Sequence, residues 1–432
     1  MRIPRVVFLI APFCLPVAYG QSLPAAASSA SLQAAATTTS SSSAAALTLD
    51  EALSLAEQNN PLLKEAAATV DRAAAGVQTS RAYKNPEAQF MAGNQSARSI
   101  ATPGVPGTLW HYSASQTVEM PRERALRQKV SQLALLSSRH RSSGVRLSVL
   151  AEVKRAFYDV IRRKEKLVHA QENLALVEDL RRRVRLEVEV GEKGKLELTR
   201  AEAELARAEA AVRSADVELS NTRAILKAMI GLSSEEPVDA TGALREVVQL
   251  PPLPDARQQV LTTHPALAEA GAQTDRARTS VAHEQALRVP TPTFSGEYER
   301  QPDVSYYRFG VNIPLPLWDK RKGPIAEAKA EVNRSEALGR QRRLEIVAAL
   351  ERAYDQYQIS NQQVHGLEAG SLREASAAVE AARSAYKFGE RGIVEVLDAQ
   401  RVLQGVRSDL LEARFARQSA LIDLEELGVT PQ

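Results

Sequence analysis

Histidine, cysteine and methionine are the side chains through which this chain could hold a transition metal, and they are dispersed. His111, His140, His169, His264, His283 and His365 stand singly, none three or four residues from another, and only four methionines accompany them. A tight metal centre needs converging nitrogen or sulfur ligands, so none is expected. The one cysteine, Cys14, lies in an apolar run near the N-terminus, which predicts a mature chain with neither disulfide nor thiolate site. No phosphate-cradling glycine loop, Gly-x-Ser-x-Gly elbow or His-Glu-x-x-His pair is present. The expectation is no catalytic residue, no cofactor and no enzyme. Carboxylates are abundant, but they recur with helical period beside basic residues, 52 acidic against 55 basic. Such interleaving marks solvated helix faces and gives no reason to expect a nucleic-acid partner.

The elements carrying these charges are long. At 432 residues with 5% aromatics and many Ala, Glu, Arg and Leu, the composition favours long helices over a compact enzyme core. Leu198, Leu205, Val212, Leu219 and Leu226 keep heptad spacing, with Ala201, Ala208, Ala215, Thr222 and Met229 forming the row three residues on. Adding 198 gives Val396, Leu403, Leu410, Arg417 and Leu424, then Ala399, Val406, Ala413, Ala420 and Leu427, of which Arg417 alone is neither small nor apolar. Gly191-Glu192-Lys193-Gly194 and Gly389-Glu390-Arg391-Gly392 precede the two heptad runs at the same offset. The chain therefore reads as two copies of one unit, each with a coiled-coil hairpin.

Residues 1–20 read as a signal peptide: Arg2 and Arg5, an apolar stretch from Val6 to Val17, then Ala18-Tyr19-Gly20 before a cleavage point. Residues 21–46 are largely Ala, Ser and Thr and are expected to form a disordered leader. Folded structure is expected from Thr48, where Thr48-Leu49-Asp50-Glu51 has the form of a capping box. The first repeat spans 47–232, a Pro-rich linker 233–254, and the second repeat 255–432. A second register, at an offset of 204, aligns Asn60-Pro61 with His264-Pro265, Pro86 with Pro290 and Phe90 with Phe294.

After Pro86 and Pro290 the period changes to alternation, predicting strand hairpins over about 87–119 and 292–317. Trp110, Tyr112, Ala114, Gln116 and Val118 share one face in the first; Tyr307, Phe309, Val311 and Ile313 share one in the second. Strands with one apolar face and one polar face suit a membrane barrel, and equally a half-buried hairpin in a soluble domain. Four strands cannot close in lipid alone, so a barrel would have to be shared among protomers. Helical runs of nearly seventy residues follow each hairpin, roughly 100 Å at the α-helical rise.

This order of elements resembles the TolC family of outer-membrane efflux channels over nearly the whole mature chain. The most specific match is Tyr386-Lys387-Phe388-Gly389-Glu390-Arg391-Gly392-Ile393-Val394-Glu395-Val396-Leu397-Asp398-Ala399. Val311-Asn312-Ile313-Pro314-Leu315-Pro316-Leu317-Trp318, followed by Lys320-Arg321-Lys322-Gly323, resembles the branch serving heavy-metal cation exporters. The resemblance implies a mainly α protein with a membrane β part: a homotrimer whose protomers each give four strands to a twelve-stranded barrel in outer-membrane lipid. It implies a passive duct, fed by an inner-membrane pump, of resistance-nodulation-division type, through a periplasmic adaptor docking at the hairpin tips, residues 191–194 and 389–392. It places Glu395 and Asp398 at the periplasmic mouth, gives Tyr386 and Arg391 the role of holding it shut, and makes Glu197 their acidic partner after the first turn. Glu197 and Glu395 stand where the family often has aspartate. Other readings are a duct for type I protein secretion, with the same architecture, and a secreted coiled-coil scaffold without a lumen.

Overall fold

Thr48 begins the first helix as the capping box requires: its backbone N–H donates to Glu51 Oε2 at 2.9 Å, and Glu51 N–H returns to Thr48 Oγ1 at 3.4 Å. The computed structural model describes residues 45–96, 105–233 and 235–430. The expected signal peptide and most of the expected leader, and much of the loop inside the first strand hairpin, lie outside the described residues.

Helix α1 (Leu49–Asn59) is followed by α2 (Pro61–Arg81), strands β2 (Glu87–Gln95) and β3 (Gly107–Thr117), and helices α3 (Pro121–Glu189) and α4 (Lys195–Ile230). The second copy repeats this as α5 (Leu253–Thr263), α6 (Pro265–Ala286), β5 (Thr293–Arg300), β6 (Ser305–Asn312), α7 (Lys322–Gly366), α8 (Leu372–Lys387) and α9 (Ile393–Glu426). Asn60 and His264, aligned in sequence, do the same work: each side chain accepts from the N–H two residues on, at 2.8 Å and 3.2 Å, and starts a helix with proline in its first turn.

Three departures from the sequence reading come from contacts between segments distant in the chain. Ala45 and Ala46, expected in the leader, join Leu47 in β1 (Ala45–Leu47), which pairs in parallel with β4 (Val238–Ala240) from the connecting segment, and Leu47 is buried in the core. That segment is also no loose linker. Tyr357 Oη bridges the N–H and carbonyl of Val248 at 3.0 Å and 2.7 Å, and Gln418 Oε1 accepts from Arg245 N–H at 3.1 Å. Side chains of α7 and α9 thus satisfy backbone groups that an irregular segment would otherwise bury unpaired. Third, the second long run is broken by a π-helical turn, Leu367–Ser371, between α7 and α8. Gly366 and Gly370, poor helix formers, flank and occupy it, and Arg414 of α9 holds Glu368 at 2.6 Å.

All twenty heptad seam positions are buried or half-buried, including Arg417. Arg417, 7% exposed, donates to the carbonyl of Arg245 at 3.0 Å, so the polar residue in an apolar row ties the connecting segment to α9.

The four long strands form one antiparallel sheet in the order β2-β3-β5-β6. The register places Phe90 opposite Tyr112, Tyr112 opposite Tyr298, and Tyr298 opposite Tyr307. Ring centroids 5.0, 6.2 and 4.9 Å apart make one aromatic row across all four strands. On the other face Arg308 pairs with Glu297 at 3.3 Å and with Glu299 at 3.0 Å. No helix among the described residues is long and apolar enough to cross a membrane.

Candidate functional site

At the end of each first hairpin arm the chain reverses by the same bonds. Glu192 N–H donates to Glu187 O, and Glu390 N–H to Ala385 O, each at 2.9 Å; Gly191 and Gly389 hold positive φ of 84° and 74°. These are Schellman closures, and glycine is required at their left-handed position. Gly194 and Gly392 are different: extended, at φ of −81° and −85°, they stand at the N-caps of α4 and α9. The two tips share a small core of Leu180, Val184, Ala201, Tyr386, Ile393, Val396 and Leu397.

Tyr386, the last buried side chain of α8, donates its hydroxyl to Glu187 Oε2 at 2.5 Å. Burial first, and the Glu187 carboxylate second, push the phenol well above its ordinary value, with Glu197 adding to the effect. Lys193 from the first turn lies over the Tyr386 ring, 5.6 Å from its centroid. The acid bonded to this tyrosine is therefore Glu187, before the first glycine turn, and not Glu197, after it. Sequence reasoning missed Glu187 because only the shared core at the tips, where α9 packs against both α3 and α8, brings it to the hydroxyl.

Glu197 and Glu395 occupy the third positions of α4 and α9, where the helix dipole favours negative charge. Glu197 Oε2 is buried without a hydrogen-bond partner among the described residues. Glu395 is exposed and folds back so that its Oε2 lies 3.3 Å from where a Cβ on Gly392 would stand. Asp398 is exposed and paired with Arg401 at 3.2 Å, and Arg401 also holds Glu204 of α4 at 2.8 Å. The Arg391 side chain is exposed and makes no hydrogen bond or ion pair among the described residues, while its backbone N–H donates to Ala385 O at 3.4 Å. The structure thus brings Tyr386 and Glu187 into contact and leaves Arg391 and Glu395 facing solvent.

Beside the Tyr386–Glu187 bond, a groove of about 410 Å³ runs between the two hairpins, lined by Arg183, Glu187, Arg383, Tyr386 and Gln400. The tips themselves are open: nothing lies within 4 Å of a Cβ added at Gly191, Gly194 or Gly389. Val190, Leu196 and Phe388 are exposed around them, Phe388 to 76%. The described residues hold no group of three or more His, Cys, Asp or Glu side chains able to chelate a metal ion.

The sheet completes the picture. Its aromatic face has no covering layer, with Phe309 88% exposed, and β2 and β6 end it as open edges. In water this would be an aggregation surface; in lipid the face is satisfied and only the edges need partners. A sheet of this kind, carried on paired helical hairpins, defines the class: a protomer of a shared membrane β-barrel prolonged by helices. The sequence pattern of the outer membrane efflux protein family matches residues 52–232 and 256–428, and the chain belongs to that family.

Cobalt-zinc-cadmium resistance protein CzcC of Cupriavidus metallidurans is 26% identical over 362 residues, covering 83% of this chain and 84% of the relative. Nickel-cobalt-cadmium resistance protein NccC of Alcaligenes xylosoxydans xylosoxydans is 26% identical over 310 residues, covering 71% and 69%. The crystal structure of CusC, whose channel formation in the membrane has been described, matches with a TM-score of 0.77 at 19% identity, covering 88% of this chain and 92% of that one.

Proposed function

We propose that this chain is one third of the outer-membrane exit duct of a tripartite efflux system, and that the cargo is heavy-metal cations. The carrying observation is the four-stranded sheet with an uncovered aromatic face and two free edges. Three copies joined β6 to β2 give twelve strands with no edge left. The polar face, with Glu297, Glu299 and Arg308, then lines the lumen.

The duct is passive. An inner-membrane pump, of resistance-nodulation-division type, supplies the energy, and a periplasmic adaptor docks at the open tips, where Phe388, Val190 and Leu196 offer apolar contact. Glu395 and Asp398 from three protomers ring the mouth; carboxylate rings favour cations through weak, multiple contacts that permit release. The Tyr386–Glu187 bond holds the two hairpins together in the closed state, and Arg391 is free to reach a neighbouring protomer. Names of two relatives, CzcC and NccC, support the metal assignment.

The test is complementation. A host lacking its own duct, supplied with a heavy-metal pump of resistance-nodulation-division type and its adaptor, should regain tolerance to cobalt, zinc and cadmium when the chain is expressed. Restoration of drug tolerance or protein secretion without metal tolerance would replace the cargo assignment.

A further inference from the structure

The two strand hairpins rejoin their helices in different ways. Between β3 and α3 lie only Val118, Glu119 and Met120, and Glu119 is buried and bonded to Arg127 at 2.8 Å. Between β6 and α7 lie nine residues, 313–321, three times the length of the other junction.

In this loop Ile313, Leu315 and Leu317 carry on the alternation of Tyr307, Phe309 and Val311 past the end of β6, and all three are exposed. Trp318 follows at 91% exposure, then Lys320 and Lys322, both exposed and without an ion pair among the described residues. The loop is held in this form. Pro314 and Pro316 restrict its backbone, Asp319 Oδ1 accepts from Arg321 N–H at 2.7 Å, and the Arg321 guanidinium is fixed to Glu284 of α6 at 2.6 Å. Arg321 sits at φ 52°, a left-handed conformation that a non-glycine residue adopts only when its surroundings impose it.

Apolar side chains, then tryptophan, then lysine is the order of chemistry met on leaving the hydrocarbon of a bilayer for its headgroups. The loop is continuous with the aromatic face and lies at the helix-bearing end of the sheet, where all four strands meet their helices.

We propose that residues 313–322 form a collar that seats Trp318 at the membrane interface and binds anionic phospholipid headgroups through Lys320 and Lys322. The collar rests on the membrane-barrel reading above, and it fixes the depth at which the duct stands in the leaflet on the helix side. Two lysines near an anionic surface together favour it over a neutral one by about thirtyfold.

The chain has two tryptophans, which makes the test direct. W110F leaves Trp318 as the fluorophore and W318F leaves Trp110. Each is reconstituted in vesicles holding either phosphatidylglycerol or phosphatidylcholine brominated near the top of its acyl chains. Trp318 should be quenched more strongly by the brominated phosphatidylglycerol, and adding K320Q and K322Q should abolish the difference; Trp110 should be quenched alike by both lipids. Equal quenching of Trp318 by the two lipids overturns the headgroup assignment. Quenching of Trp110 with none of Trp318 means that a neighbouring protomer covers the loop, which overturns the collar and leaves the duct intact. Quenching of neither overturns the collar and the membrane barrel together.

Discussion

The hydroxyl of Tyr386 and the carboxylate of Glu187 carry the gate argument at the level of single atoms. A hydrogen bond to a charged group contributes about 1.5–3 kcal/mol, so removing it should raise the open population by about tenfold or more. Tyr386→Phe and Glu187→Gln are both expected to raise single-channel conductance or open time in planar bilayers, while Glu197→Gln leaves them near the parent value. The reverse ranking of the two glutamates would return the latch to Glu197. Because the folded phenol titrates above its ordinary value of 10.0, the bond is intact below that pH and is lost only as pH climbs through the raised value. Between pH 7 and 9, Tyr386→Phe and the parent should therefore show parallel conductance profiles. Tyr386 was legible in the sequence through its place before Gly389-Glu390-Arg391-Gly392. Glu187 was not, since nothing in a helical charge pattern tells which carboxylate will meet a tyrosine from another hairpin.

Among the elements, the most legible features were those set by local chemistry. The Thr48 box, the prolines after Asn60 and His264, and the paired glycine turns place helix ends within a residue or two of where they lie. Features that depend on distant packing were hidden: the β1–β4 pairing, the π turn at Leu367–Ser371, and the reason for Arg417 in an apolar seam. The repeat also shows where the copies diverge. His264 caps α6 through an unprotonated Nδ1 where Asn60 caps α2 with an amide. Burial lowers the His264 pKa, with Arg342 adding to it. A histidine so shifted contributes its stability above the unfolded value of 6.5 and loses it as pH falls through the folded value. Melting temperature should thus fall between pH 7 and 5 by more in the parent than in His264→Asn, which should keep the cap, worth about 1 kcal/mol, at both pH values. Equal slopes for the two proteins would show that the cap does not titrate.

At the scale of the whole molecule, the sequence showed alternation but could not choose between lipid and a protein core as the partner of the aromatic face. Within the protomer that face has no covering layer, with Phe90, Tyr112, Tyr307 and Phe309 exposed and unpaired edges at β2 and β6, and membership of the outer membrane efflux protein family fits lipid as its partner. In the proposed duct the sheet closes with copies of itself around a lumen. That closure makes Glu297 and Phe309 opposites: one faces the passage, the other the lipid. The most direct measurement compares Glu297→Cys and Phe309→Cys channels in planar bilayers before and after a charged, water-soluble thiol reagent. A stepwise drop in current for Glu297→Cys with no change for Phe309→Cys is the predicted result. Absence of any channel from the purified protein, or an equal response at the two positions, would contradict a shared barrel with this sheet as its wall.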